Sequence, residues 1–186
     1  MTDERRPSRD EVARAAGRTI PDVLAPGLRV LFCGINPSLY SGAVGHHFAR
    51  PGNRFWKARH LSGFTDRVLS PFEDAELAQD GLGLTNLVGR STVSAAELSA
   101  EELREGAVRL ERNVRQIDPR VVAVLGIGAY RKAFARPKAE LGRQPEVLAA
   151  ARLWVLPNPS GVNAHYQIDA LADAFAELRS ATEPER

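Results

Sequence analysis

Leu28-Arg29-Val30-Leu31-Phe32 runs through Cys33 into Gly34-Ile35-Asn36-Pro37-Ser38, a short apolar run that stops at a glycine and a polar turn. Such a run reads as a strand buried on both faces, as in a parallel sheet. Three more runs share its character: Leu82-Gly83-Leu84-Thr85-Asn86-Leu87, Val121-Val122-Ala123-Val124-Leu125 and Leu153-Trp154-Val155-Leu156. Helical patterns lie between them. The clearest opens on a capping box, Ser99 with Glu102, and continues through Leu103, Ala107, Leu110, Val114 and Ile117 until Asp118-Pro119 stops it. Shorter helices are predicted over Arg9 to Ala16, Arg54 to Leu61, Phe72 to Gln79, after Gly128, and over His165 to Arg179. Strands alternating with helices predict an α/β fold, a three-layer α/β/α sandwich around a four-stranded, mainly parallel sheet. The chain divides into a partly helical extension over 1–25, a single domain over 26–180 and a frayed end over 181–186.

The composition suits one globular domain, with 186 residues of which 44% are hydrophobic and 26% charged. One cysteine excludes a disulfide framework, a four-cysteine iron–sulfur cluster and a cysteine-rich zinc module. No apolar run approaches the roughly 20 residues that span a bilayer, and the charged start from Met1 to Asp10 has no signal-peptide core. A cytoplasmic protein is expected, with no membrane partner.

The net charge of +2 hides a pattern. Only Lys57, Lys132 and Lys138 are lysines among 25 basic residues; the rest are arginines, whose planar fork suits phosphate, although a GC-rich genome produces the same bias. Arg29 to Arg67 carries six bases against Asp66, and Arg120 to Arg152 carries seven against Glu140 and Glu146. Glu73 to Asp118 between them holds ten acids and five arginines. Two basic segments around an acidic one predict one positive face, the footprint of a polyanion partner, with the capped helix turned away from it.

In an open parallel sheet, ligands bind beyond the carboxyl ends of the strands. Three predicted strands reach an asparagine there: Asn36, Asn86 and Asn158. An amide offers donors and an acceptor, so three converging amides suit the polar edge of a base or a held water; alternatively they satisfy loop backbone. His46 and His47 are adjacent and make a poor metal pair, but they precede Phe48 and are candidates for positive charge near phosphate. Gly126-Ile127-Gly128-Ala129-Tyr130-Arg131 fails the dinucleotide fingerprint at its third glycine, which leaves tight strand-to-helix packing as its reason.

Gly34-Ile35-Asn36-Pro37, Gly45, Phe48-Ala49, Pro51, Asn53-Arg54-Phe55-Trp56-Lys57 and Trp154-Val155-Leu156-Pro157-Asn158-Pro159-Ser160-Gly161 together resemble the mismatch-specific uracil-DNA glycosylases, the MUG/TDG branch of the uracil-DNA glycosylase superfamily. The resemblance runs from about Leu28 to Leu178. It implies removal of uracil from G·U mismatches in double-stranded DNA by hydrolysis of the N-glycosidic bond, with thymine and ethenocytosine as further substrates, by a monomer without metal or cofactor. By that resemblance Asn36 holds the hydrolytic water, Phe48 stacks on the flipped base, and Ile35, Asn86 and Asn158 contact it. Ser160, Gly161, Val162 and Asn163 belong to the loop that fills the space left by the base, with Val162 as wedge, Asn163 toward the unpaired guanine and Ala164 where an intercalating Arg is frequent. Ser41 and Ser160 are candidates for phosphate contacts. An amide has no useful pKa, so Asn36 orients rather than acts as a base. No lysine lies within Gly34 to Ser38 or Asn158 to Ala164, which argues against a Schiff base. Two other uses of the same fold stay open: a nucleoside or nucleotide hydrolase, and a non-catalytic module that binds mismatches.

Overall fold

The computed structural model describes residues 6–163 and 165–183. Five strands form one sheet: β1 (Val30–Gly34), β2 (Leu82–Asn86), β3 (Val121–Leu125), β4 (Gly142–Leu148) and β5 (Ala151–Leu156), in the order β2-β1-β3-β5-β4. The first three and β5 are parallel, with Cys33 level with Thr85 and Val124, and Leu125 level with Leu156. The four predicted strands are these, and the sandwich stands. The fifth, β4, is antiparallel to β5 at the sheet edge, and its register breaks between Arg143 and Val147, around Pro145. Proline donates no ladder hydrogen bond, so a strand carrying it is tolerated only at an edge or a bulge.

Among the described residues six α-helices accompany the sheet: α1 (Arg9–Ala13), α2 (Leu39–Val44), α3 (Phe55–Leu61), α4 (Ala100–Ile117), α5 (Ile127–Ala133) and α6 (Ile168–Thr182). Pro71–Asp80 forms a run of 3-10 turns. Period-two alternation along each strand builds two cores. Leu31, Cys33, Val122, Val124 and Val155 meet Leu103, Leu110 and Val114 of α4 and Tyr130 of α5 on one face. Phe32, Leu84, Ala123 and Trp154 meet Phe55 of α3, Leu77, and Leu171 and Phe175 of α6 on the other. Each fully buried Leu or Phe contributes roughly 1.5–3 kcal/mol over its exposed state. The capping box at Ser99 forms as read, and α6 runs on through Thr182, into the end expected to fray.

The stretch before Ala25 is joined to the sheet: Val23 pairs antiparallel with Leu84, giving and accepting backbone hydrogen bonds of 2.8 and 2.9 Å. Among the described residues no helix is long and apolar enough to cross a membrane.

Candidate active site

The chain leaves β1 for β2 on one side and later adds β3 on the other, so the connections part at the carboxyl end of β1, where open α/β sheets bind ligands. A cleft of about 210 Å³ opens there. That falls below the roughly 300–1,000 Å³ of sites for drug-sized ligands and suits one flat ring rather than a dinucleotide. Gly34, Ile35, Asn36, Phe48, Asn86 and Asn158 all line it.

Asn36 lies in the turn after β1. Its Nδ2 donates to the Arg90 carbonyl at 3.0 Å and to Thr92 Oγ1 at 2.7 Å, and more weakly to its neighbour Pro37 O at 3.3 Å. A carbonyl only accepts, so the amide orientation is fixed: the nitrogen faces the β2 loop. Asn36 Oδ1 has no hydrogen-bond partner among the described residues and is left as the acceptor of the site. The β2 loop is itself tied to the β1 loop through Leu87 N to Gly34 O, Val88 N to Ile35 O and Thr92 N to Pro37 O.

Phe48 forms the aromatic wall. One face stacks on Phe55 with centroids 4.2 Å apart, and the residue lines the cleft. Its backbone sits at φ 52°, a left-handed conformation uncommon for an aromatic residue. Ser41 holds that turn in place. It lines the cleft though only 2% exposed, and its Oγ accepts from Ala49 N at 3.1 Å, which braces the Phe48 loop. Arg50, exposed at the cleft with no ion pair among the described residues, is the better placed cation for a phosphate.

Asn86 crosses the floor. A Cβ on Gly34 would lie 2.5 Å from Asn86 Oδ1 and 3.3 Å from the Phe48 ring, so only glycine fits between them. The Asn86 amide nitrogen lies 3.5 Å from His47 Nδ1, while His47 Nε2 donates to the Pro21 carbonyl at 2.9 Å. Burial holds the His47 pKa below the ordinary imidazole value. His46 is bound to Asp74 at 3.1 Å.

The loop after β5 forms the far wall. Asn158 Oδ1 accepts from Ser160 N at 3.0 Å, and its Nδ2 has no partner among the described residues. Arg54, just before α3, clamps this loop. Its guanidinium donates to Ser160 O at 2.7 Å, Asn163 O at 2.8 Å and Tyr166 O, while Arg54 N donates to Pro159 O. Gly161 packs on the Gly52 backbone, where a Cβ would come within 2.5 Å of the carbonyl. At the tip Val162 is 75% exposed. Asn163, expected to face an unpaired guanine, has its amide folded back: Nδ2 donates to Asn158 O at 3.0 Å and Oδ1 accepts from His165 N. Ala164 lies outside the described residues.

The three asparagines therefore converge, and Ser160 and Val162 join them at the rim. Sequence reading passed over Ile20, Thr92 and Arg50, which line the cleft, and the Arg54 clamp. The loop from Asn86 to Ser94 lies within the acidic stretch and forms one wall, while the capped helix α4 of that stretch packs on the sheet through Leu103, Leu110 and Val114. Gly126, at φ 134°, lets Ile35 approach to 3.1 Å of where its Cβ would be, which is the packing reason for that glycine.

The model of the uracil DNA glycosylase superfamily matches residues 21–179. The solution structure of a candidate uracil DNA glycosylase from Methanosarcina acetivorans is similar in fold at 20% identity, covering 88% of this chain and 98% of that one, with a TM-score of 0.56. The matched residues take in both sheet faces, the loop after β5 and the cleft lining apart from Ile20, and the chain belongs to the uracil DNA glycosylase superfamily.

Proposed function

We propose that this protein excises uracil from mismatched double-stranded DNA, leaving an abasic site. The observation that carries the reading is the Asn36 amide, whose donors are spent on Arg90 O and Thr92 Oγ1 and whose free acceptor borders a cleft of one-base size backed by Phe48. A base within a duplex is out of reach of such a cleft, so it is flipped at a cost of a few kcal/mol, least for a mismatched pair. Stacking on Phe48 offsets it by about 1–3 kcal/mol.

The chemistry follows from the polarity of the two ends. Asn36 Oδ1 accepts a hydrogen from water and aims its lone pair at the anomeric carbon; it removes no proton, so the water attacks a sugar that is already oxocarbenium-like. The electron pair of the broken N-glycosidic bond leaves with the base, Asn158 Nδ2 is the donor available to the resulting anion, and the proton that the water sheds once its C–O bond has formed passes to that anion or to solvent. None of the three lysines lines the cleft, which supports hydrolysis without a covalent amine adduct. Val162 is the wedge, since apolar side chains pushed into the stack are a recurrent device.

Labelled duplexes bearing G·U, A·U and G·T, single-stranded uracil and free deoxyuridine, treated with the protein and then alkali, test the proposal. The expected result is strand breakage led by G·U and no adduct trapped by borohydride. Release from free deoxyuridine with intact duplexes makes it a nucleoside hydrolase; salt-sensitive duplex binding without abasic product makes it a binding module.

A further inference from the structure

The strap over residues 8–20 lies outside the stretch that the superfamily model matches, yet it is packed against the β2 loop that orients Asn36. Its helix α1 opens on a complete capping box between Ser8 and Glu11, and α1 packs on α2. Ala15, just beyond α1, is fully buried. Gly17, at φ 78°, then reverses the chain so that Ile20 reaches the cleft wall.

Ser91 is where strap and site meet. It stands between Arg90 and Thr92, the residues whose carbonyl and hydroxyl take the Asn36 amide hydrogens. Ser91 is 1% exposed, and each of its polar groups is bound by the strap: its N donates to Arg18 O at 2.8 Å, its carbonyl accepts from Gly17 N at 2.9 Å, and its Oγ donates to Ala15 O. Gly42 of α2 closes the stack from behind, because a Cβ there would fall 2.7 Å from Ser91 Oγ.

We infer that residues 8–20 are a positioning strap: they fix the Arg90–Thr92 segment and, through it, the direction of the Asn36 acceptor. The inference rests on the reading of Asn36 as the holder of water. A catalytic group displaced by about 1 Å costs on the order of 10²-fold in rate, while affinity for product, to which the strap adds only Ile20 at the cleft wall, is altered far less.

The test uses the full chain. Ala15→Glu places a carboxylate in a site with no room for it and releases the strap, seen as faster trypsin cleavage after Arg14 and Arg18. The single-turnover excision rate at saturating protein on a G·U duplex is expected to fall about 30-fold, with the Kd for abasic duplex moving less than about threefold. Ala15→Gly keeps the carbonyl that Ser91 uses and is expected to stay within about twofold of the parent rate. Ser91→Ala, which removes one of the three bonds, is expected to lose about fivefold and serves if Ala15→Glu does not melt cooperatively. A released strap with an unchanged rate overturns the inference, as does an unchanged rate for Ser91→Ala if that variant alone folds. A parent protein that excises no uracil at all overturns the reading of Asn36 and the inference with it.

Discussion

Asn36-Pro37-Ser38 and Asn158-Pro159-Ser160 are the same tripeptide at the carboxyl ends of β1 and β5, yet they present opposite ends of their amides to the cleft. The Asn36 nitrogen is taken by Arg90 O and Thr92 Oγ1 of the neighbouring loop, which leaves an acceptor. The Asn158 oxygen is taken by Ser160 N of its own turn, which leaves a donor. Ser38 goes on to cap α2, accepting from Ser41 N at 3.1 Å, whereas Ser160 opens a turn whose carbonyls are held by Arg54. The local motif supplies the amide in both loops, and its polarity is decided at Asn36 by partners in the neighbouring loop and at Asn158 by its own turn. An acceptor suits the water and a donor suits the departing base.

Exchanging those uses is the severest test. On the proposed reading, Asn36→Ala removes the acceptor that holds the water and is expected to cost on the order of 10²–10³-fold in single-turnover excision from a G·U duplex, with binding of abasic product nearly intact. On the same reading, Asn158→Ala removes one hydrogen bond to the departing base and is expected to cost about tenfold. A larger loss at Asn158 than at Asn36 reverses the assignment of the two loops.

How far the two loops were legible from sequence follows the same division. The strands that carry them are apolar runs ended by turns, and the α4 cap is a local motif, so both were readable. The strand β4 was not, because Gly142-Arg143-Gln144-Pro145-Glu146 is polar and broken by proline, the composition an edge tolerates and a core does not. Helix α2 escaped notice because it is six residues long with Gly42 inside it, present for the contact with Ser91 rather than for helix propensity. At the site, the convergence of Asn36, Asn86 and Asn158 was legible from their places at strand ends. The burial of Ser41, the inward fold of Asn163 and the clamp of Arg54 depend on partners 8, 5 and more than 100 residues away, and only tertiary packing fixes them.

The clamp separates the loops a second time. Arg54→Lys keeps the charge and loses the planar fork that reaches three carbonyls, so the loop after β5 loosens while the Asn36 turn keeps its own bonds. Excision from duplex is expected to fall about tenfold and excision from single-stranded uracil less than about threefold, since only the duplex must be wedged open. Equal losses on both substrates assign the clamp to the fold rather than to the wedge. Val162→Gly removes the exposed side chain alone and is expected to cost about threefold to fivefold on duplex and nothing on single strands, read from the same alkaline cleavage.

The smallest effect is in acid, and it belongs to the β1–β2 side alone. His47 Nε2 carries the hydrogen given to Pro21 O, so Nδ1 holds the lone pair facing the Asn86 amide nitrogen. Burial lowers the His47 pKa from 6.5, against the opposing pull of the Pro21 carbonyl, Asp74 and Asp22. The unfolded chain takes up this proton near 6.5 while the fold refuses it until a lower pH, so the stability it confers is intact above 6.5 and declines as pH falls from there toward the depressed folded value. The slope in that window is at most about 1.4 kcal/mol per pH unit for one proton. His47→Gln keeps a donor for Pro21 O and removes the titration. Denaturant unfolding at intervals below pH 6.5 is expected to show a shallower loss for the variant than for the parent, and parallel curves exclude His47 as the source. Once pH reaches the depressed folded value, protonation also puts a hydrogen on Nδ1 facing that of Asn86, so the amide that shares the cleft floor with Gly34 loses its partner there, while the Arg54 clamp on the loop after β5, which donates only to carbonyls, is unmoved.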